Sequence, residues 1–315
     1  MIETSVIIPV RNQKKQLLLT LNCLKRQIKN RRNFEIVICD DSSDDGTGDA
    51  VKRLRFPIFL KYFINKPPLG RSANRNFGFE KSSGKNIIFL DGDMVPSDGY
   101  IDAMLSDDNT NIVKLGIPRV PPGDKVNRLG KYLYSRGRYS QRFENQYLPG
   151  RLFTSNSFYI SRKNFSKTGG FDTKFKGWGG EDIDFGLRLE KMGVPIKSKP
   201  DALTYHHHKK TVRSLAEDFY NFGNNTFELL INKHPDFLNQ FPSHLLGMSD
   251  KFSMANIIHK FIALLTINRP ALKLAEYLIS TYHNFSWPDI IFDFVTWGNL
   301  GLGYKKRNKK RTTGL

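Results

Sequence analysis

The sequence predicts an α/β fold, a mostly parallel sheet with flanking helices, followed by a helical extension. Three observations carry this expectation. Short apolar runs alternate with amphipathic helical patterns through the first half of the chain. Two acidic turns, Asp91-Gly92-Asp93 and Glu181-Asp182, stand at junctions between such elements, where open α/β sheets bind ligands. After Lys210 the apolar residues recur with helical spacing.

Residues 6–9 read as a strand, Leu17, Leu18, Leu21, Leu24 and Ile28 as one face of a helix, and residues 34–39 as the next strand. Together they make a βαβ unit, and strands at 58–64, 87–90 and 112–117 extend it with the ligand crevice at their carboxyl ends. Between 119 and 151 the pattern breaks into Pro, Gly, Tyr and basic residues, among them Arg128, Lys131, Tyr132, Tyr134, Arg136, Arg138, Tyr139 and Arg142. A stretch this long with little apolar period reads as a functional loop, such as a lid or ligand-binding insertion, or as a plain solvated excursion. Thr154-Ser155-Asn156-Ser157 opens a strand through 160, and a further strand at 202–205 leads into Tyr205-His206-His207-His208. Three helical stripes follow, around Phe219 to Leu230, Ile257 to Leu265, and, after Pro270, Leu272 to Tyr282. The expected division is a catalytic domain over 1–210 and a helical extension over 211–315.

The densest chemistry lies in Lys176-Gly177-Trp178-Gly179-Gly180-Glu181-Asp182-Ile183-Asp184. Glycines let the backbone bend close to a ligand, the indole offers a face to a sugar ring, and three carboxylates cluster. Ile183, Phe185, Leu187 and Leu189 start a helix here, so Glu181 and Asp182 fall at its N-terminus, where the macrodipole favours their ionised form. An ionised carboxylate there can take a proton from a hydroxyl, or it can simply cap the helix. Asp91-Gly92-Asp93 follows the apolar run 87–90; two carboxylates on a tight turn suit a hard cation that completes its shell with phosphate oxygens, and they equally suit a surface turn.

Taken together, these segments resemble the nucleotide-sugar glycosyltransferases of the GT-A fold, family 2, with a second half similar to the galactosyltransferase type. Ser5-Val6-Ile7-Ile8-Pro9-Val10-Arg11-Asn12 resembles the family's first strand and nucleotide-binding loop, and Ile36 through Thr47 its second strand and uridine-recognising turn. Gly70 through Gly78, with Arg71 and Arg75, resembles the helix that gives a basic residue to the donor; Asp91-Gly92-Asp93 resembles the metal motif, and Gly169 through Asp182 the acceptor-side signature. The resemblance covers about two-thirds of the chain.

That resemblance implies a donor site of Pro9, Val10, Arg11, Asn12, Asp41, Arg71, Arg75, Asp91, Gly92, Trp178, Gly179 and Gly180. Asp41 would meet the uracil, Asp91 the ribose and the metal, and Arg75 the leaving diphosphate. Asp93 would ligate Mn²⁺ or Mg²⁺, with His206 or, on the same strand face, His208 completing the shell. Asp182 would be the base of an inverting transfer and Glu181 would accept hydrogen bonds from sugar hydroxyls. Asp44 departs from the family's usual Thr or Ser.

The expected activity is transfer of a hexose or N-acetylhexosamine from a UDP-sugar to a saccharide, lipid-linked or peptide acceptor. A sugar-phosphate nucleotidyltransferase would need a glycine-rich loop after the first strand, where Pro9-Val10-Arg11-Asn12-Gln13 stands instead. A binding protein on a degenerate transferase fold would not need both acidic pairs. The formal net charge of +19 calls for an anionic partner, and no zinc-finger spacing or RNP aromatic motif directs it to nucleic acid. Two cysteines, Cys23 and Cys39, give no disulfide framework. No signal-peptide pattern and no apolar run of about 20 residues stand out, so a cytoplasmic protein is expected. Trp287, Trp297 and the basic run Lys305 to Arg311, expected to be an unpacked tail, would dock it on the inner face of the plasma membrane.

Overall fold

The computed structural model describes residues 1–56, 59–106, 110–135, 146–206, 210–240, 267–283 and 285–312. The strands are β1 Thr4–Val10, β2 Phe34–Asp40, β3 Phe59–Ile64, β4 Asn86–Leu90, β5 Met94–Pro96, β6 Val113–Arg119, β7 Tyr147–Leu148, β8 Ser157–Ser161 and β9 Ile196–His206. The helices are α1 Lys14–Ile28, α2 Thr47–Lys52, α3 Arg71–Lys81, α4 Tyr100–Leu105, α5 Arg128–Ser135, α6 Arg162–Thr168, α7 Glu181–Lys191, α8 Val212–Asn225, α9 Phe227–Lys233, α10 Arg269–Thr281 and α11 Asp289–Thr312. Two compact units divide the chain: Met1–Asp124, Tyr134–Lys174 and Glu181–His208 form the first, Lys125–Leu133, Phe175–Gly180 and Lys209–Leu315 the second.

The first unit holds one sheet in the order β3-β2-β1-β4-β8-β6-β9-β5, with β7 beside β9. β3, β2, β1 and β4 run parallel to one another, as expected. Beyond β4 the sheet is mixed: β8 runs antiparallel to both β4 and β6, while β6 and β9 are parallel to each other. The parallel character therefore belongs to the N-terminal half, where helical crossovers join successive strands. Two reversals leave β6 and β9 running with β4, so Leu90 and His206 end at the same edge of the sheet. β8 starts at that edge, with Ser157 opposite Leu90.

Strands buried on both faces explain the unbroken apolar runs. Val6, Ile8 and Val10 pack with Leu17, Leu21, Leu24 and Ile28 of α1 on one face, and Ile7, Val37, Cys39 and Phe89 join Phe158, Phe165, Phe171 and Phe185 on the other. The ring centroids of Phe171 and Phe185 lie 4.4 Å apart, which seats the first turns of α7 on this cluster. Gly186 of α7 faces Gly150, where an added Cβ would stand 2.1 Å from the Gly150 carbonyl oxygen; only glycine permits this backbone contact.

Two expectations need correction in the stretches of weak pattern. The segment 119–151 is not structureless, since α5 lies within it and Leu129 and Tyr132, one helical step apart, are buried in the second unit with Val212, Leu215 and Phe292. β9 is also longer than 202–205, because Lys197, Lys199 and Pro200 hide its strand pattern.

The second unit is helical around Val212, Leu215, Ala216, Ile279, Phe292 and Val295. The basic run is no loose tail but the last turns of α11, where Arg307 Nε donates to Glu228 Oε2 at 2.6 Å and Nη1 reaches the carbonyls of Asn224 and Asn225. Trp297 packs edge-on to Phe219 at 5.4 Å. The stripe expected around Ile257 to Leu265 lies outside the described residues, as do Arg136, Arg138, Tyr139 and Arg142. Among the described residues no helix is long and apolar enough to cross a membrane.

Candidate active site

The site is assembled where β1, β2 and β4 end. Asn12 takes a left-handed turn, φ 52°, which a short amide side chain tolerates. Its amide N–H donates to Ser43 Oγ at 2.8 Å, and its side-chain oxygen accepts from the Asp44 amide at 2.9 Å. Asp45 takes the amides of Lys14 and Thr47, so the acids of this loop stitch the first two strand ends together. Asp44 takes part through its backbone. Asp41 is 5% exposed, and its two carboxylate oxygens accept the backbone amides of Leu69 at 2.6 Å and Gly70 at 3.0 Å, just ahead of α3. Pro9 and Val10 contribute carbonyls, which accept from the Gly92 and Asp41 amides. Arg11 and Arg71 are exposed at this edge.

The two aspartates of the Asp91-Gly92-Asp93 turn have different partners. Arg75 Nη2 donates to Asp91 at 2.9 and 3.2 Å, while Asp93 Oδ2 accepts from the neutral amide Nε2 of Gln13 at 2.8 Å. Burial pushes the Asp91 carboxyl up, Arg75 pulls it back, and the charges of Asp93 and Asp182 push it up again; it ends above the ordinary range. Arg75 is 5% exposed; burial works against its charge, and Asp91, Asp182 and Glu181 more than restore it. Its Nε and Nη1 are buried without a hydrogen-bond partner. The guanidinium expected to face a diphosphate thus already holds one carboxylate and keeps donors in reserve.

His206 enters through register, since β5 pairs antiparallel with β9 and sets it opposite Met94, next to Asp93. Its Nε2 lies 3.5 Å from Asp93 Oδ2. Among the described residues no three His, Cys, Asp or Glu side chains gather as a metal cluster. A converging carboxylate oxygen and imidazole nitrogen nevertheless fit Mn²⁺ or Mg²⁺, ions that commonly complete their shell with phosphate oxygens and water. His208 lies outside the described residues.

α7 begins at Glu181. Asp182 Oδ2 accepts the Ser155 amide at 3.1 Å, and its Oδ1 is buried without a hydrogen-bond partner. Glu181, 7% exposed, is pushed up to about 7 by burial and by Asp182, against the pull of Arg75 and Arg71. Asp184 does not belong to this group, because its buried carboxylate holds Arg188, one turn along the helix, at 2.8 Å. Trp178, Gly179 and Gly180 fall in the second unit. The indole lies 5.3 Å from the Phe219 ring with Lys210 Nζ 4.8 Å from its centroid, and a Cβ on either glycine would strike Phe222 or Phe175 at 2.8 Å. Packing within that unit accounts for these glycines without a ligand.

Glu181 also makes a testable link between pH and stability. Between its ordinary 4.5 and about 7 the folded protein keeps a proton that the unfolded chain has released. Stability from this group is complete below that window and is lost as pH rises through it, by on the order of a few kcal/mol. Thermal melts of the wild type and Glu181→Gln should therefore converge in slope outside the window and diverge within it, the wild type losing more. Parallel profiles throughout would remove the perturbed acid.

Gln13 and Tyr134, whose hydroxyl lies 3.2 Å from the His206 carbonyl oxygen, carry no signal of their own in the sequence, and Ser155 meets Asp182 through its main-chain N–H rather than its side chain. An amide, a main-chain N–H and a phenol acquire a role only from what the fold sets beside them.

Comparison with known proteins accords with this geometry. Residues 5–169 match glycosyl transferase family 2, and residues 140–211 match the N-terminal domain of galactosyltransferase. Validoxylamine A glucosyltransferase of Streptomyces hygroscopicus subsp. jinggangensis is 29% identical over 220 residues, 61% of this chain and 52% of the relative. Chondroitin synthase of Escherichia coli is 26% identical over 314 residues, 87% of this chain and 43% of the relative. The chain thus spans about half the length of these relatives. Among solved structures, the mannosyltransferase PcManGT from Pyrobaculum calidifontis, in complex with GDP-Man and Mn²⁺, superposes with a TM-score of 0.64 at 17% identity, covering 98% of this chain and 87% of that one. Staphylococcus aureus TarS 1–349 in complex with UDP gives 0.52 at 16%, covering 100% and 92%. With more than half of its residues inside the first match, and with that family's fold, this chain belongs to glycosyl transferase family 2.

Proposed function

We propose that the protein is a metal-dependent, inverting glycosyltransferase that moves a hexose or N-acetylhexosamine from a UDP-sugar to a hydroxyl of a saccharide or lipid-linked saccharide acceptor. A peptide acceptor is the alternative of the same chemistry. The observation that supports this most is Arg75, whose charge is held at once by Asp91 of one acidic turn and by Asp182 and Glu181 of the other. Two motifs ninety residues apart in sequence thereby share one electrostatic site.

In this reading Asp182 takes the acceptor proton through a carboxylate that the Ser155 amide holds in place. The remaining donors of Arg75 meet the diphosphate, and Glu181 receives sugar hydroxyls. Asp93 and His206 would hold Mn²⁺ or Mg²⁺, which when bound offsets the negative charge that builds on the departing diphosphate. One displacement inverts the anomeric carbon. Residues 1–210 would carry this chemistry and 211–315 would serve the acceptor. Docking on anionic lipid has less to stand on, with Trp297 against Phe219 and Arg307 on Glu228.

The fold relatives were solved with different nucleotides, so the test must span both. The protein is incubated with UDP-hexoses, UDP-N-acetylhexosamines and GDP-mannose, with and without Mn²⁺, and nucleotide release is followed without acceptor. UDP release from at least one sugar, raised by Mn²⁺, is expected. Release from the GDP-sugar alone would overturn the donor assignment, and neither release nor nucleotide binding would overturn the transferase reading.

A further inference from the structure

Two side chains close on the Asp93–His206 pair from opposite ends, and neither belongs to a motif. Gln13 stands at the start of α1, where its carbonyl accepts the Leu17 amide and fixes its backbone to the helix. From there Nε2 reaches Asp93 Oδ2 at 2.8 Å. Gly92 makes the room, since a Cβ on it would fall 3.1 Å from Gln13 Oε1 and 3.2 Å from Val10 Cγ2. At the other end, the Tyr134 hydroxyl lies 3.2 Å from the His206 carbonyl oxygen and 3.5 Å from its Nδ1.

We propose that Gln13 and Tyr134 are positioning residues that preset Asp93 and His206 for a divalent cation; this rests on the reading of that pair as the ligands. A glutamine amide orients a carboxylate without neutralising it. Asp91, by contrast, has its Oδ1 on the guanidinium of Arg75 at 2.9 Å. The phenol has one proton. Given to the His206 carbonyl, it leaves oxygen lone pairs facing Nδ1, which favours the tautomer that carries its proton on Nδ1 and its lone pair on Nε2, the nitrogen nearest Asp93. A bare Nε2 is what a cation requires, and outer partners of this kind fix tautomer and ring orientation at metal sites.

The test measures Mn²⁺ binding to the full chain by the electron paramagnetic resonance of free Mn²⁺, with UDP and, in parallel, GDP at saturation. Gln13→Met and Tyr134→Phe keep bulk and remove only the polar contact, and Gln13→Leu repeats the measurement should the first variant fold poorly. Each is expected to weaken Mn²⁺ binding about tenfold or more, with melting temperature and metal-free nucleotide affinity unchanged. Affinity within about twofold of wild type in either variant, with Asp93→Ala having lost the ion, overturns the proposal. If Asp93→Ala itself binds Mn²⁺ like the wild type, the ligand reading fails and the positioning role falls with it.

Discussion

Asp93→Ala is expected to lose divalent-metal dependence and activity together, with turnover lower by about 10³ or more. A bound cation contributes several kcal/mol of charge stabilisation to a departing phosphate, and each 1.36 kcal/mol is about a factor of ten in rate. The structure explains why the loss should centre on this residue. Asp91 is tied to Arg75, while Asp93 is the carboxylate that stands 3.5 Å from His206 Nε2 and is oriented by a neutral amide. Alanine also leaves the Gln13 amide without this acceptor, but at a partly exposed edge where water can replace it. The measurement is turnover against Mn²⁺ concentration for a variant whose melt and circular dichroism match the wild type. A folded Asp93→Ala enzyme with wild-type turnover and an unchanged metal response would end the metal assignment.

Replacing Asp182 by asparagine should lower turnover at least ~100-fold while nucleotide affinity changes little, the usual contribution of a positioned general base. The substitution is close to isosteric, and an amide oxygen can still accept the Ser155 N–H that the carboxylate holds at 3.1 Å. What disappears is the basicity of Oδ1, the oxygen that is buried without a partner in the free protein. Isothermal titration with UDP alongside steady-state kinetics separates the outcomes. Surviving turnover with collapsed nucleotide binding would move Asp182 to the donor side and leave the proton without an acceptor.

The carboxylates proposed for the site stand in patterns that are legible in the sequence. Asp91, Asp93, Glu181 and Asp182 come as doublets directly after a strand or ahead of a helical stripe, so a local pattern locates them. Strands β1, β2 and β4 were equally plain, because burial on both faces leaves no polar position to blur the run. Asp184 misled for a physical reason: a carboxylate in the first turn of a helix looks alike whether it faces a cleft or grips an arginine four residues on. α5 stayed hidden because its buried stripe, Leu129 and Tyr132, is short and set among glycine and charge. Gln13 could not be found locally at all, since its partner is 80 residues away and meets it only when β4 lies beside β1. The terminal basic run continues a helix that starts at Asp289, and Arg307 within it pairs with Glu228, a tertiary contact that composition does not encode.

The bulge in β9 ties the place of the proposed cation ligand His206 to strand length. Gly116 pairs with Lys199 and Ile117 with Leu203, so Pro200, Asp201 and Ala202 have no partner on β6. Gly116 permits this, because any side chain there would meet the Ala202 carbonyl at 2.8 Å. Everything from Leu203 to the imidazole opposite Met94 is counted off from those three residues. One residue inserted there, with the upstream pairs held and the bulge kept at three residues, sets Tyr205 opposite Met94 in place of His206. If Asp93 and His206 hold the proposed cation, a single codon inserted or deleted in this bulge would take one ligand away with no acidic residue altered, a change that a comparison of the motif residues alone does not see.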